Sequence, residues 1–246
     1  MLLELQDVLA LIPPMTLQDL REQVCEANRA LEPSGLVRLT WGNVSGIDRA
    51  SGLWAIKPSG VDYLELTPQD IVVLDLEGRV VEGKLRPSSD TKTHLVLYRE
   101  FPEIGGITHT HSLHATMFSQ AGRELPCYGT THADHFHGTV PVVRALTPAE
   151  VAEDYEHFTG VAIVERLREL RLSPLEMPAV LQLHHAPFTF GKSAMDSLKN
   201  SIALEMCAHM ALGAASLTPG ITPIPGHILE KHYLRKHGPG AYYGQK

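Results

Sequence analysis

Two histidines separated by one residue mark the first segment of this chain that could do chemistry. In "GGITHTHSLHAT" (105–116), His109 and His111 follow a short β-branched run that predicts a strand. Side chains at i and i+2 of a strand point to the same face, so the two imidazoles are expected to lie side by side. Paired neutral imidazoles can bind a divalent metal ion, most commonly zinc, although an ordinary pair of half-buried strand histidines has the same spacing.

A metal site needs further ligands, and the sequence offers two candidates. His184 and His185 lie at the end of another predicted strand, where alternation lets only one of the two face the site. Asp90 lies at the start of the helix predicted before the His109 strand. His114 falls inside a predicted helix and is expected to pack or to face solvent instead.

A third segment, "TTHADHFHG" (130–138), places one carboxylate among three imidazoles. Asp134 is a candidate general acid or base, because a nearby cation and a polar site can tune the pKa of a carboxylate. A capping or turn role for Asp134, with solvated histidines around it, explains the segment equally well.

Short Ser/Gly turns are candidate anion sites. "KPSG" (57–60) and "PSSD" (87–90) offer backbone N–H groups and hydroxyls of the kind that bind phosphate, especially at a helix N-terminus. Each of them taken singly is first of all a turn, and "WGNVSG" (41–46) can equally be a tight polar strand end.

The composition argues against several other classes of protein. The chain has 246 residues and a formal net charge of −7, which does not fit a nucleic-acid binder. No apolar run is long enough to predict a membrane span, and the N-terminus lacks the basic region of a signal peptide, so a cytoplasmic location is expected. Cys25, Cys127 and Cys207 are too widely spaced to predict a disulfide framework or a thiolate zinc site.

Helical and strand patterns are interspersed along the chain, which predicts one α/β domain over residues 1–246. Thr16 and Thr147 are predicted helix caps, and two β-rich runs around Glu77–Gly78 predict a hairpin. Because hairpin and strand–helix signals coexist, we expect a mixed sheet covered by helices.

Taken in order, these segments resemble the L-ribulose-5-phosphate 4-epimerase branch of the class II aldolase superfamily. The resemblance rests on "LTWGNVSGID", "IKPSGVDY", "RPSSDTKTH", "GGITHTHSLHAT", "GTTHADHFHGTVP", "APFTFGK" and "KHYLRKHG…AYYGQ". It implies a three-layer α/β/α fold with a central mixed, largely antiparallel sheet. The resemblance runs from about residue 20 to the C-terminus, so it leaves out an N-terminal extension at 1–19 and includes a C-terminal tail at 238–246.

In that family the metal is typically zinc, held by an aspartate and three histidines. The resemblance implies the ligands Asp90, His109, His111 and His185, which also suit manganese or cobalt. The family's "HSHGPF" is "LHHAPF" here, which makes His184 a departure. The implied substrate and phosphate contacts are Gly42, Asn43, Ser59, Gly60, Ser88 and Ser89.

The implied acid–base pair is Asp134 and Tyr243, with the tyrosine supplied by a neighbouring subunit. The relatives are homotetramers with sites between subunits, and His232 and Arg235 are expected as further substrate-side groups. The implied substrate is a phosphorylated pentulose, as in arabinose catabolism.

The implied reaction interconverts L-ribulose 5-phosphate and D-xylulose 5-phosphate. C4 is not alpha to the carbonyl, so cleavage and re-formation of C3–C4 replaces simple deprotonation. Two alternatives are a class II aldolase, for example of the fuculose-phosphate type, and a non-catalytic metal- or sugar-phosphate-binding module. The aldolase relatives carry a glutamate at the position of Asp90, which favours the epimerase.

Overall fold

The structure is a computed structural model that describes residues 15–243. The strands in this range are β1 (Asn43–Asp48), β2 (Leu53–Ile56), β3 (Val72–Leu74), β4 (Val80–Glu82), β5 (Gly106–His109), β6 (Val142–Val143), β7 (Ala179–Gln182) and β8 (Pro187–Gly191). The α-helices are α1 (Leu17–Leu31), α2 (Thr91–Glu100), α3 (Leu113–Ala121), α4 (Thr130–Ala133), α5 (Pro148–Glu169), α6 (Ala194–Leu217) and α7 (Gly226–His237). A 3₁₀ turn, Pro68–Asp70, precedes β3.

All eight strands belong to one sheet, in the order β4-β3-β2-β1-β5-β8-β7-β6. Neighbouring strands pair antiparallel except β6 and β7, which pair parallel. The predicted mixed, largely antiparallel sheet is therefore confirmed, and so is the hairpin, which β3 and β4 form. This order makes β5 and β8 neighbours near the centre of the sheet, so the end of β5 lies beside the turn that precedes β8.

Helices cover both faces of the sheet, because alternation along the strands buries side chains on both. Val72 packs into the cluster shared with α2 and α5, whereas Val73 packs with α1 on the opposite face. A third cluster joins α3 and the middle of α6 to β7. The predicted three-layer α/β/α arrangement is confirmed.

Local signals located several helix ends correctly. α1 begins after Thr16, which forms a reciprocal capping box with Asp19. α5 begins at Pro148 after a second capping box made by Thr147. Gly122 ends α3 in the left-handed conformation, with φ 61°.

The ends of the chain lie partly outside the described residues. Residues 1–14 of the predicted extension and 244–246 of the predicted tail are not described, and residues 17–19 of the extension belong to α1. Within 15–243, none of the helices combines the length and apolar character that a membrane crossing requires. Cys25, Cys127 and Cys207 are buried free thiols.

Candidate active site

Three histidines converge where β5 ends. The candidate ligand atoms of His109, His111 and His185 all lie within 4.8 Å of one another. His109 is the last residue of β5, and His185 lies in the turn between β7 and β8. Because β5 and β8 pair antiparallel, with His109 opposite Phe188, the turn before β8 lies beside the end of β5. We call these three histidines the triad.

The prediction that His109 and His111 share a strand holds for His109 only. His109 is on β5 and is buried, but His111 lies two residues beyond the end of that strand. Their ring centroids are nevertheless 5.0 Å apart, because the chain turns from β5 into α3 at this point. The pairing predicted from the spacing therefore occurs, although only His109 belongs to the strand.

The environment keeps the triad neutral near neutral pH. Burial, followed by the neighbouring imidazoles, lowers the pKa of His185 to about 3, and burial and His111 lower the pKa of His109 to about 3. Burial also lowers the pKa of His111. The Nδ1 of His109 donates to the Pro187 carbonyl at 3.0 Å, which leaves Nε2 available as a ligand. Three neutral, grouped imidazoles fit a divalent cation.

Asp90 lies beside the triad at the start of α2. It occupies the N-cap position, but its side chain does not cap the helix. Instead, its Oδ2 accepts a hydrogen bond from the Nδ2 of Asn43 at 2.6 Å. The carboxylate lies outside the group of ligand atoms within 4.8 Å, although its charge acts on the pKa values of His111 and His185. Asp90 is thus adjacent to the triad and held by Asn43.

A cavity of about 300 Å³ opens over the triad. Its walls include all ten residues that the sequence analysis proposed as metal, substrate or phosphate contacts, together with Thr40, Trp41, Lys57 and Pro58. The two Ser/Gly turns meet in its wall, since the Ser59 N–H donates to the Arg86 carbonyl and the Ser88 N–H to that of Lys57. Segments that are weak anion signals singly therefore form one composite surface.

Among the four cavity residues that were not predicted, Lys57 is the one that carries a charge. It is 1% exposed, its Nζ donates to the carbonyls of Pro58 and Val61, and it lies 4.8 Å from the centre of the Tyr63 ring. Burial lowers the pKa of Lys57 to about 8, so the ammonium is mostly charged at neutral pH. None of these partners is an anion, so the site retains a positive charge suited to phosphate. The available signal was a lysine directly before the Pro-Ser-Gly turn.

Two neighbouring residues explain why "WGNVSG" is more than a strand end. Gly42 has φ +93°, and a Cβ there would lie 2.7 Å from the carbonyl oxygen of His109, so glycine permits this close approach. Asn43 donates to Ser88 as well as to Asp90, whereas its buried Oδ1 has no hydrogen-bond partner among the described residues. A buried acceptor in a cavity wall fits a donor group on a ligand.

Asp134 and Tyr243 lie near each other but not at the cavity. Arg235 donates to both carboxylate oxygens of Asp134, at 2.9 and 2.6 Å, and the His232 ring lies at 3.1 Å. The Tyr243 ring lies 4.6 Å from the same guanidinium group. Burial raises the pKa of Asp134, but the hydrogen bonds from Arg235 and His232 lower it by more, so the pKa of Asp134 is below its usual value. Neither Asp134 nor Tyr243 lines the cavity of its own chain.

Comparison with known proteins identifies the family of this chain. The family model described as "Class II Aldolase and Adducin N-terminal domain" matches residues 22–212. The chain belongs to this family. It is 51% identical over 230 residues to L-ribulose-5-phosphate 4-epimerase UlaF of Salmonella paratyphi A (strain ATCC 9150 / SARB42), which covers 94% of this chain and 100% of the relative.

Solved structures share the class II aldolase fold. An L-fuculose 1-phosphate aldolase matches with a TM-score of 0.73 and 27% identity, over 87% of this chain and 94% of that one. YgbL from Klebsiella pneumoniae matches with a TM-score of 0.71 over 88% of this chain and 99% of its own, and at 23% identity it supports the fold alone. The family membership indicated by the motifs is confirmed.

Proposed function

We propose that this chain is a metal-dependent L-ribulose-5-phosphate 4-epimerase that interconverts L-ribulose 5-phosphate and D-xylulose 5-phosphate. The observation that carries the proposal is the single cavity in which a neutral histidine triad, Asp90 and two anion-binding turns meet. The identity of 51% to an epimerase along that relative's whole length supports this substrate.

The phosphate end of the substrate binds at the composite turn surface. Ser59, Gly60, Ser88 and Ser89 line this wall, next to the N-terminus of α2. Lys57 adds a buried positive charge on the same side. A phosphate held here directs the sugar carbons towards the triad and retains the aldehyde fragment while the C3–C4 bond is broken.

The triad and Asp90 hold a divalent cation, for which we propose zinc. Such an ion, when bound, supplies Lewis-acid stabilisation for the negative charge that C3–C4 cleavage leaves on the enediolate fragment. The anion-binding turns keep the glycolaldehyde phosphate fragment in place while its carbonyl rotates. The bond then re-forms on the opposite face of the aldehyde, which inverts C4.

Inversion requires proton carriers on both faces of the C4 carbonyl, and we propose Asp134 and Tyr243 for these roles. Because neither lines the cavity of its own chain, a neighbouring copy supplies both of them. Two further groups, His232 and Arg235, hold the Asp134 carboxylate in place and in its ionised form.

We propose a homotetramer with active sites between subunits. An exposed apolar surface on α3 and α6 supports self-association, since Leu113, Met117, Met206 and Met210 are 62%, 42%, 54% and 45% exposed. A cytoplasmic location and a role in arabinose catabolism stay predictions.

A class II aldolase is the second candidate, because an L-fuculose 1-phosphate aldolase shares the fold. The zinc-loaded protein should be incubated with L-ribulose 5-phosphate and its products identified by nuclear magnetic resonance. An epimerase forms D-xylulose 5-phosphate and releases no free aldehyde. Accumulation of glycolaldehyde phosphate without D-xylulose 5-phosphate would identify an aldolase instead.

A further inference from the structure

The ring of His185 has one hydrogen-bond partner among the described residues, and that partner comes from α5. The hydroxyl of Tyr155 lies 3.4 Å from the Nδ1 of His185, with ring centroids 6.1 Å apart. We propose that Tyr155 is a positioning residue, which holds His185 in the orientation and tautomer that a divalent cation requires. The inference rests on the proposed metal site and adds a residue to it.

The chemical reason is that the two ring nitrogens of a metal-bound histidine have different roles. A histidine that binds a metal through Nε2 carries its proton on Nδ1, and a fixed acceptor for that proton fixes both the tautomer and the ring plane. His109 has such an acceptor in the Pro187 carbonyl. The Tyr155 hydroxyl lies 3.4 Å from the Nδ1 of His185, and in the tautomer that binds a metal through Nε2 it is the acceptor for the Nδ1–H. Without this acceptor the His185 ring rotates more freely, and its Nε2 is less often presented to the ion.

Tyr155 reaches the site because α5 is kinked one residue earlier. Asp154 has φ −166° and ψ 87°, which is not helical and divides α5 into two segments. Its carboxylate accepts from the Nζ of Lys92 at 2.5 Å and from the N–H of His157 at 3.3 Å, so it caps the second segment. Lys92 belongs to α2, the helix that begins beside Asp90. The ion pair therefore ties the kink to the helix that borders the cavity.

The surroundings of the Tyr155 hydroxyl also indicate a role at the site rather than in the core. The side chain is 36% exposed, which is high for an aromatic residue with a structural role. Burial, followed by the charges of Asp90 and Glu156, raises the pKa of Tyr155, so the phenol keeps its proton near neutral pH.

The test is the zinc affinity of the metal-free protein, measured by competition with a chromophoric chelator at neutral pH. Tyr155→Phe removes only the hydroxyl and should weaken zinc binding by about tenfold or more, as loss of an outer hydrogen bond to a metal ligand typically does. Lys92→Met should weaken zinc binding in the same direction by releasing the kink. Tyr242→Phe is the matched control, because Tyr242 is 61% exposed and does not line the cavity, and its zinc affinity should equal that of the wild type.

Cobalt provides a second readout that is independent of turnover. The visible spectrum of the cobalt-loaded protein reports ligand geometry, and it should change in Tyr155→Phe but not in Tyr242→Phe. A zinc affinity for Tyr155→Phe within about twofold of the wild type, with an unchanged cobalt spectrum, overturns the positioning role and leaves the epimerase proposal intact. Failure of the wild-type protein to bind zinc overturns the metal site itself.

Discussion

The triad illustrates how neighbours, rather than local sequence, prepare side chains for chemistry. The His109 ring stacks on Phe188 at 4.3 Å and donates to the carbonyl of Pro187, both from β8. His185 lies three residues before Phe188 and meets His109 only because β5 and β8 pair. Burial at this junction makes the imidazoles neutral, which is the form that binds a metal ion.

Asp134→Asn tests the proposed proton carrier. Asparagine has nearly the same shape but cannot take up a proton, so the epimerase rate should fall by about 100-fold or more. Zinc content should stay at the wild-type level, because Asp134 is not at the triad. The two quantities are measured by a coupled assay for D-xylulose 5-phosphate and by elemental analysis. Full activity in this variant refutes the acid–base role.

The histidines with lowered pKa values predict how the free energy of unfolding of the metal-free protein depends on pH. His94, His109 and His185 have pKa values lowered to about 3, with burial as the main cause in each. In the unfolded chain these groups take up protons below about pH 6.5, whereas in the folded chain they do so only near pH 3. The unfolded state therefore binds more protons in this window, and acid favours it.

We expect the free energy of unfolding of the metal-free protein to be lower at pH 5 than at pH 7.5, as measured by urea denaturation. The limiting slope is about 1.4 kcal/mol per pH unit for each such histidine. The variant His185→Gln should show a shallower dependence than the wild type, which separates the histidine contribution from that of carboxylates. Equal stability at the two pH values contradicts the assignment of neutral, buried imidazoles.

Much of the cavity wall was predictable from residue types and order, and one part was not. The Ser/Gly turns, Asp90 and the histidines carry recognisable side chains in recognisable contexts. Lys57 was missed because a lysine in a sequence is usually a solvated surface residue, and only the fold buries it. The separation of Asp134 from the cavity depends on contacts with α7 that no local pattern encodes.

At the scale of elements, α7 is attached to the rest of the chain by few contacts. Tyr233 is its one buried residue, and the Tyr233 ring stacks between His137 at 4.5 Å and His237 at 4.6 Å. The His137 ring also bonds to the carboxylate of Glu230 at 2.7 Å. The sequence predicted a basic helix here, but its attachment through the "HFH" segment could not be predicted, because the two segments are about 90 residues apart and meet only in the fold. α7 presents Arg235 to Asp134, so this attachment sets the geometry of the carboxylate.

Tyr233→Ala should loosen α7 without unfolding the sheet. Removing the Tyr233 ring removes the buried side chain of α7 and its stacking on His137 and His237, so protection of the 226–237 amides from hydrogen exchange should fall by about tenfold or more. Tyr233→Phe keeps the ring and is the matched control, with protection close to that of the wild type. Unchanged protection in Tyr233→Ala would show that other contacts hold the helix.

At the scale of the whole molecule, the proposed site residues of one chain fall into two separate groups. The triad and the anion-binding turns lie in the cavity, whereas Asp134 and Tyr243 lie together outside it. The sheet order and the covering helices follow from hydrophobic patterning, which is why the fold class was predictable. The surfaces through which copies associate were not predictable, because association depends on surface shape rather than on the hydrophobic periodicity of the sequence.

Mixed assemblies test whether sites are shared between copies. His109→Ala and Asp134→Asn should each be nearly inactive, but co-expression should restore measurable activity, because some sites then combine an intact triad from one chain with an intact Asp134 from another. Co-expression of His109→Ala with His185→Ala is the control and should restore none, since every chain then lacks a triad. Equal activity in both mixtures contradicts a shared site.

The most direct test of the account is a zinc titration of epimerase activity in the metal-free protein. The account predicts negligible conversion of L-ribulose 5-phosphate before zinc is added, a rise in proportion to added zinc, and saturation at one equivalent per chain. His109→Ala should stay inactive throughout the titration. Full turnover by the metal-free protein, or the same zinc-dependent rise in activity in His109→Ala as in the wild type, would contradict a metal site at the triad.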